Sequence, residues 1–412
     1  MKITNVKVHL VGLGFRNAIF TEIETDAGIT GVSETVMKRR SRTIAEYIQE
    51  LSRYLVGKDP SRIEDHYEKL YRDSFWVGGP MHSTAISAVE IALWDIAGKE
   101  LGVPVYRLLG GPTRDSVPVY CHCPAGASPK EAGENARACL ANGYRVIKTT
   151  LPLLYGAGSS TTGYSGTRGQ IDPRHKETEY LSPEVFSGIR AQFAAMREAV
   201  GSEVDISTDC HGRLSPANAV RLAENLADLR ILFIEEPIPP ENVDALAWVT
   251  QRSPVPIAAG ERICTIYGAR EIVEKEAVAI FQPDVVNCGG LSQAKKMAAM
   301  AEAHYISIAP HNPNGPVCNA MTLQLAASVP NFVLLETMTT DVPWRKAVVP
   351  EDLEIVDGHM RIPDKAGLGL ELNEAEAAKH PYTPHDLRHY TGALTAIRPP
   401  DAVPYWRISP AR

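Results

Sequence analysis

The chain has 412 residues, enough for two to three domains of about 150 residues each. Hydrophobic residues make up 44% and charged residues 22%, an ordinary globular composition that excludes a disordered or collagen-like chain. The formal net charge is −7 and no run of like charges occurs, so nucleic acid and anionic membranes are excluded as expected partners.

The amino-acid sequence also shows no apolar segment typical of a targeting signal. No apolar stretch approaches the roughly 18 residues of a spanning helix, and the first residues lack the apolar core of a secretory signal. The seven cysteines are scattered along the chain, which predicts reduced thiols in a cytoplasmic protein. Cys121-His122-Cys123 resembles half of a metal motif, but no second half follows, and we interpret it as the end of a strand.

The first part of the chain predicts an α+β domain over residues 1–115. Residues 3–32 alternate apolar and polar side chains around the turn Asp26-Ala27-Gly28, which predicts two or three antiparallel strands. Helical periodicity follows from Ser41 to about Gly110, most clearly over Ala85–Ala97, where small residues predict close packing.

Residues 116–336 change to a repeated strand and helix pattern. Strands that alternate with helices form parallel sheets, and eight such units match a (β/α)8 barrel of about 250 residues better than an open doubly wound sheet. The predicted strands are Val117–Tyr120, Tyr144–Ile147, Val204–Thr208, Ile231–Ile234, Val255–Ala259, Ala279–Gln282, Tyr305–Ala309 and Phe332–Leu335.

Two segments depart from this period. Residues 151–180, rich in Gly and Ser, follow the second strand and double the local spacing, so we interpret them as an active-site lid, with plain disorder as the alternative. The Pro-rich residues 337–412 lack the period, and we expect them to pack back on the first domain.

Charged side chains end the predicted strands, and in a barrel all of them face one mouth. Asp209, Glu235 and Glu261 follow one another at equal intervals, as expected for one ligand per βα unit. A single such acid is ordinarily a helix cap, but several acids at one mouth repel each other unless a cation neutralises them. All-oxygen donors suit Mg²⁺. The full set is Lys148, Asp209, Glu235, Glu261, Asp284, His311 and Glu336.

The sequence motifs resemble those of the enolase superfamily, within it the mandelate-racemase-like sugar-acid dehydratases of the galactonate and mannonate type. The matching motifs are Asp209-Cys-His211-Gly-Arg213, Ile234-Glu235-Glu236-Pro237, Ala259-Gly260-Glu261-Arg262, Gln282-Pro283-Asp284, Ala309-Pro310-His311-Asn-Pro-Asn-Gly-Pro316, Ala92-Leu93-Trp94-Asp95 and Leu108-Leu109-Gly110-Gly111. The resemblance implies an N-terminal capping domain on a modified (β/α)7β barrel, one Mg²⁺, and removal of the proton beside a substrate carboxylate.

The resemblance also implies roles for the histidines. His311 with Asp284 is similar to the general-base dyad of the family, and His211 would protonate the departing hydroxyl. A merely structural role for His211 is the alternative. Lys148-Thr149-Thr150 stands where racemases and cycloisomerases have Lys-x-Lys, and the absent second Lys favours loss of water over two-base racemisation.

Four further residues are predicted at the site. A protonated Glu336 would donate a hydrogen bond to the substrate carboxylate, and Lys148 would place a second cation there, with a structural ion pair as the alternative for Lys148. Arg262 is predicted to bind substrate. Tyr155 resembles a loop tyrosine that acts as the base in mannonate dehydratases, so either it or His311 is the base, and we favour His311.

The predicted reaction is dehydration of an aldonic acid to a 2-keto-3-deoxy acid by a homo-oligomeric enzyme. An epimerase or cycloisomerase on a related carboxylate is one alternative. A catalytically silent metal-binding sensor is the other.

Overall fold

Three antiparallel strands in the order β1-β2-β3 open the computed structural model, which describes residues 1–151, 181–351, 353–385 and 401–409. They are Ile3–Gly12 (β1), Asn17–Thr25 (β2) and Thr30–Thr35 (β3). The β2–β3 turn places Gly28 at φ +74°, a conformation that glycine adopts without steric cost. The predicted antiparallel strands are therefore confirmed.

Four helices follow and complete the cap: Ser41–Leu55 (α1), Ile63–Arg72 (α2), Gly79–Leu101 (α3) and Val105–Leu108 (α4). The sheet lies directly on α3. A Cβ atom added at Gly31 would lie 2.1 Å from the carbonyl oxygen of Ala92. Gly31 of β3 therefore permits the close contact with α3 at Ala92.

Eight parallel strands then form the barrel, and the last one pairs with the first. A bridge between Ile308 and Phe332 joins the seventh strand to the segment before the eighth. All eight predicted strands are present with shifted boundaries; in the last, Glu336 lies inside the strand instead of after it. The strands are Ser116–Cys123 (β4), Val146–Thr150 (β5), Asp205–Asp209 (β6), Ile231–Glu235 (β7), Ile257–Ala259 (β8), Ile280–Phe281 (β9), Ser307–Ile308 (β10) and Leu335–Thr337 (β11).

A helix follows each barrel strand except the last, within the described residues, which gives the modified (β/α)7β order. Three of these helices begin with a Ser-Pro pair, in which the serine hydroxyl accepts a backbone N–H and the proline occupies the first turn. The helices are Pro129–Ala141 (α5), Pro183–Val200 (α6), Pro216–Leu226 (α7), Val243–Arg252 (α8), Thr265–Glu274 (α9), Leu291–Glu302 (α10) and Pro316–Ser328 (α11).

The C-terminal segment contacts both the cap and the barrel. On the cap, the Gly12 N–H donates to His380 O at 2.9 Å. On the barrel, one of its strands pairs antiparallel with the start of β4, a contact that the sequence does not predict. Its elements are Thr340–Asp341 (β12), Arg345–Val348 (α12), Glu354–Val356 (β13), His359–Arg361 (β14), Glu374–Ala377 (α13), Val403–Pro404 (β15) and Arg407–Ser409 (β16). None of the helices described is long and apolar enough to span a bilayer.

Candidate active site

Three carboxylates converge at the C-terminal mouth of the barrel. Asp209 ends β6, Glu235 ends β7, and Glu261 lies two residues after β8. Each offers one oxygen, and these oxygens lie within 4.8 Å of one another. Neighbouring strands of a parallel sheet deliver their last residues to the same edge, so the barrel itself assembles the group.

The donors in this carboxylate group fit a Mg²⁺ ion. Octahedral Mg²⁺ binds oxygen at about 2.1 Å, so oxygens around one ion lie within about 4.2 Å of each other. Glu261 Oε2 is buried and lies 3.1 Å from His311 Nε2. Burial and the charge of Glu235 raise the pKa of Asp209 well above its usual value. Asp209 therefore lacks sufficient counter-charge, which a divalent cation would supply.

Lys148 forms an ion pair inside the acidic ring. Its Nζ lies 2.8 Å from both oxygens of Glu235 and 2.7 Å from Glu336 Oε1, and its side chain is only 1% exposed. These contacts match the structural alternative for Lys148, because the ammonium already has carboxylate partners. Its predicted place on the substrate carboxylate stays a prediction.

Glu336 accepts hydrogen bonds where the sequence predicts a donor. Its Oε1 lies 2.5 Å from His122 Nε2, and the Asn312 N–H donates to Oε2 at 2.6 Å. Burial raises the pKa of Glu336, but the charges of Lys148 and His311 outweigh burial and hold it well below its usual value. Lys148, His122 and the Asn312 N–H therefore favour the ionised form of Glu336, which differs from the predicted protonated form. Its predicted hydrogen bond to substrate stays a prediction.

His311 and Asp284 form a hydrogen-bonded pair on adjacent strand ends. The Nδ1 atom of His311 lies 2.7 Å from Asp284 Oδ2, and its Nε2 lies 3.1 Å from Glu261 Oε2. A carboxylate can only accept, so Nδ1 carries the proton. Burial lowers the pKa of His311, but Glu261, Glu336 and Asp284 raise it to about 10.

His211 lies two residues after Asp209 with its backbone at φ +48°, which is uncommon outside glycine. Its N–H donates to Asp209 Oδ1 at 2.9 Å, and its Nε2 lies 3.2 Å from Asp209 Oδ2. Glu236, which directly follows β7, has φ +41°. Such backbone strain is concentrated at functional sites, where the surrounding structure maintains it.

A cavity of about 420 Å³ opens above these residues. Asp209, His211 and His311 line it from the barrel, and the cap contributes Arg16 and Lys38. Sequence reasoning missed both cap residues. It also missed His122, which lines the same cavity, because the interpretation of Cys121-His122-Cys123 ignored that alternate residues of a strand face opposite sides.

Arg262 and Tyr155 are the remaining predicted residues. Arg262 pairs with Glu236, its Nε lying 3.2 Å from Glu236 Oε1, and it is not among the residues that line the cavity. Its predicted contact with substrate stays a prediction. Tyr155, and with it almost all of segment 151–180, lies outside the described residues.

Two family models match this chain. The enolase C-terminal domain-like model covers residues 131–377, and the mandelate racemase / muconate lactonizing enzyme N-terminal domain covers residues 5–110. D-mannonate dehydratase CC0532 of Caulobacter vibrioides is 34% identical, over 93% of this chain and 95% of the relative. D-xylonate dehydratase of Haloferax volcanii is 36% identical, over 90% of this chain and 87% of the relative.

The fold is also similar to that of solved structures. The mandelate racemase/muconate lactonizing enzyme from Sulfitobacter sp superposes with a TM-score of 0.85 at 32% identity, over 97% of this chain and 100% of that one. This similarity spans the cap, the barrel and the strand ends that carry the candidate site.

Proposed function

Because the chain belongs to the mandelate racemase and muconate lactonizing enzyme family of the enolase superfamily, we propose that it dehydrates a sugar acid with the help of Mg²⁺. The observation that carries the proposal is one cavity lined by His211, His311 and Asp209, a carboxylate of the candidate metal group. The product would be a 2-keto-3-deoxy acid.

The first step is removal of the proton beside the substrate carboxylate. His311 is the base, acting through Nε2, because Asp284 holds the Nδ1 proton and orients the ring. Asp284 thereby also stabilises the imidazolium that forms when Nε2 takes the proton.

The negative charge that follows needs stabilisation, because the substrate carboxylate is already anionic. When bound by Asp209, Glu235 and Glu261, Mg²⁺ supplies Lewis-acid stabilisation of that charge. Lys148 neutralises Glu235 and Glu336, so that these carboxylates repel the substrate less. Lys148 and the three carboxylates that would bind Mg²⁺ are held at or near strand ends, so these side chains reorganise little during the reaction.

The second step is loss of the 3-hydroxyl, which is a poor leaving group unless it is protonated. His211 lines the same cavity as His311, and Asp209 holds it at 3.2 Å. His211 is therefore the acid that donates a proton to the departing oxygen. With one histidine as base and another as acid, the site favours elimination over racemisation.

The substrate class follows from the relatives and the cavity. Relatives at similar identity are named for a six-carbon acid, D-mannonate, and for a five-carbon acid, D-xylonate. A cavity of about 420 Å³ lies in the usual range for small-molecule sites. We therefore propose an aldonic acid of five or six carbons.

The test is a screen of aldonic and aldaric acids with Mg²⁺, measured as formation of a 2-keto acid. With the best substrate, His311→Asn is expected to lower the rate by about 10²–10⁴-fold and to abolish deuterium exchange at the α-carbon. His211→Asn is expected to stop dehydration while exchange continues.

Two results would contradict the proposal. Exchange at the α-carbon without any 2-keto acid, across the whole library, would identify an epimerase or cycloisomerase. Binding of sugar acids without exchange or product would identify a sensor. Full activity of His311→Asn would instead remove His311 as the base and direct attention to Tyr155.

A further inference from the structure

Three consecutive residues after β11 line the active-site cavity. They are Met338, Thr339 and Thr340, and together they form the wall strip. β11 is the eighth strand of the closed barrel, and β7, which ends in Glu235, is the fourth. The fourth and eighth strands of an eight-stranded barrel lie on opposite sides. The wall strip therefore lies across the mouth from the middle of the candidate metal group.

This position suits the part of a substrate that does not react. On the premise of the proposed dehydration, the substrate carboxylate lies at the metal group, and the carbons that lose the proton and the hydroxyl lie near His311 and His211. The remaining carbons of a sugar acid each carry a hydroxyl. The wall opposite the metal group therefore needs side chains that donate and accept hydrogen bonds, as a threonine hydroxyl does.

Thr339 is the residue of the wall strip whose hydroxyl is available to a substrate. Its backbone carbonyl accepts the Tyr405 N–H at 3.2 Å, while its hydroxyl makes no hydrogen bond to the residues that the structure describes. Thr340 instead begins β12 and pairs with Pro404 of β15. The hydroxyl of Thr339 is therefore the polar group that this wall can offer.

The C-terminal residues hold the wall strip from behind. The indole Nε1–H of Trp406 donates to Met338 O at 2.8 Å, and both Tyr405 and Trp406 are buried. The cavity that the wall strip shares with these two aromatic residues measures about 10 Å³. One water molecule needs about 10–15 Å³, so the wall strip packs tightly on the C-terminal segment.

We propose that Thr339 binds a hydroxyl of the substrate beyond its third carbon, and that Trp406 is the positioning residue that holds Thr339 for this contact. Thr339 thereby selects polyhydroxy acids over acids that lack a hydroxyl at that carbon. Trp406 does not line the cavity, so it acts through the backbone of Met338 and not on the substrate itself.

Thr339→Val tests the contact with substrate, because valine has the shape of threonine without its hydroxyl. D-mannonate, D-xylonate and the other aldonic acids are titrated calorimetrically into the protein in the presence of Mg²⁺. For the acid that binds best, Kd should rise about 2–10-fold in Thr339→Val, the effect of one hydrogen bond.

Deoxy analogues of that acid identify the hydroxyl. The analogue that lacks the contacted hydroxyl should bind the unmodified protein as weakly as the parent acid binds Thr339→Val. It should lose nothing further in Thr339→Val, because both changes remove the same hydrogen bond.

Trp406→Phe tests the positioning role without any substrate. Phenylalanine keeps an aromatic ring and removes the N–H, so the amides of residues 338–341 should exchange their hydrogens faster. Trp94→Phe is the matched control. The Nε1–H of Trp94 donates to Glu90 Oε1 at the same distance of 2.8 Å, but within α3 of the cap. It should leave the exchange of residues 338–341 unchanged.

Turnover provides a second measurement of the same role. Trp406→Phe should raise KM about 2–10-fold and leave kcat unchanged, because the wall strip contacts only the part of the substrate that does not react. Trp94→Phe should change neither constant. A lower kcat in Trp406→Phe with an unchanged KM would contradict a role in substrate positioning.

Three further outcomes would overturn the proposal. An unchanged Kd in Thr339→Val, or no binding by any sugar acid, would remove Thr339 as a substrate contact. Equal hydrogen exchange of residues 338–341 in Trp406→Phe and Trp94→Phe would remove Trp406 as the positioning residue. Binding that depends on Thr339 but gives no product would contradict the proposed dehydration and support this contact, so the two failures are distinguishable.

Discussion

Glu336 receives hydrogen bonds or ionic contacts from a lysine, a histidine and a backbone N–H, and it is fully buried. A neutral carboxyl group would place its own proton against one of these donors. The sequence shows that many acids meet at this mouth, but only the positions of Lys148 and His122 show which acid carries a stable negative charge.

Glu336→Gln tests this charge assignment. The amide would leave Lys148 with a weaker partner, so the free energy of unfolding should fall by about 3–5 kcal/mol, as for other broken buried pairs. The control is Glu371→Gln, whose 72% exposed side chain pairs with Lys99 and should change stability by less than about 1 kcal/mol. Both values come from denaturant unfolding. Equal effects would show that Glu336 is not the charged partner of Lys148.

A second prediction at this scale concerns the pH dependence of His311. In the metal-free protein its pKa should be about 10, because Glu261 and Glu336 stabilise the imidazolium. Glu261→Gln removes a negative charge and should lower the pKa of His311, and so should Mg²⁺, which adds positive charge beside it. NMR titration of the imidazole measures both. An unchanged pKa in Glu261→Gln would exclude Glu261 as a cause.

At the scale of elements, the site depends on loops that follow short strands. The loop after β10 carries His311, and it is held from the cap. Arg16, on the turn between β1 and β2, donates from Nη2 to Pro313 O at 2.6 Å and from Nη1 to Asn314 Oδ1 at 3.3 Å. The same turn therefore lines the cavity and fixes the loop of the proposed base.

Arg16→Gln should lower the rate of α-proton exchange by about 10-fold or more, because a loose loop misplaces His311. Arg114→Gln is the matched control. Arg114 donates to Val329 O at 2.9 Å, directly after the C-terminal end of α11, which is the end distant from the barrel mouth. It should lose stability and keep its exchange rate. Similar rates in the two variants would show that the Arg16 contacts do not position the base.

At the scale of the whole molecule, three consecutive barrel units contribute one carboxylate each to the candidate metal group. One ion would therefore connect β6, β7 and β8 and stabilise the folded chain against the unfolded one. The chain holds a second cluster of ligand-type side chains, formed by His9, Glu22 and Glu374 between the cap and the C-terminal segment. Thermal unfolding can distinguish the two clusters.

Mg²⁺ at 100 times its Kd should stabilise the unmodified chain by about 2.7 kcal/mol, seen as a higher Tm. Asp209→Asn should abolish this shift, and Glu374→Gln should retain it. The reverse result would place the ion at the outer cluster, and retention in both variants would exclude both clusters as the principal site.

The barrel and its carboxylates are predictable from the sequence because both are periodic. Each βα unit repeats a buried strand, a polar residue at the strand end and a helix, so Asp209, Glu235 and Glu261 follow from their positions alone. The same reasoning identifies Asp284 and His311 as neighbours, and they are 2.7 Å apart.

The sequence by itself therefore determined the fold, the carboxylate group and the pairing of His311 with Asp284, since these depend on local pattern and on the order of strands. Only the tertiary structure decided the charge of Glu336, the ionic partners of Lys148 and the direction of the His122 side chain, which faces the barrel mouth. It also decided the contribution of Arg16 and Lys38. These features depend on how the cap docks on the barrel and on which side chains meet at its centre, and contacts between residues distant in sequence leave no periodic pattern in the chain.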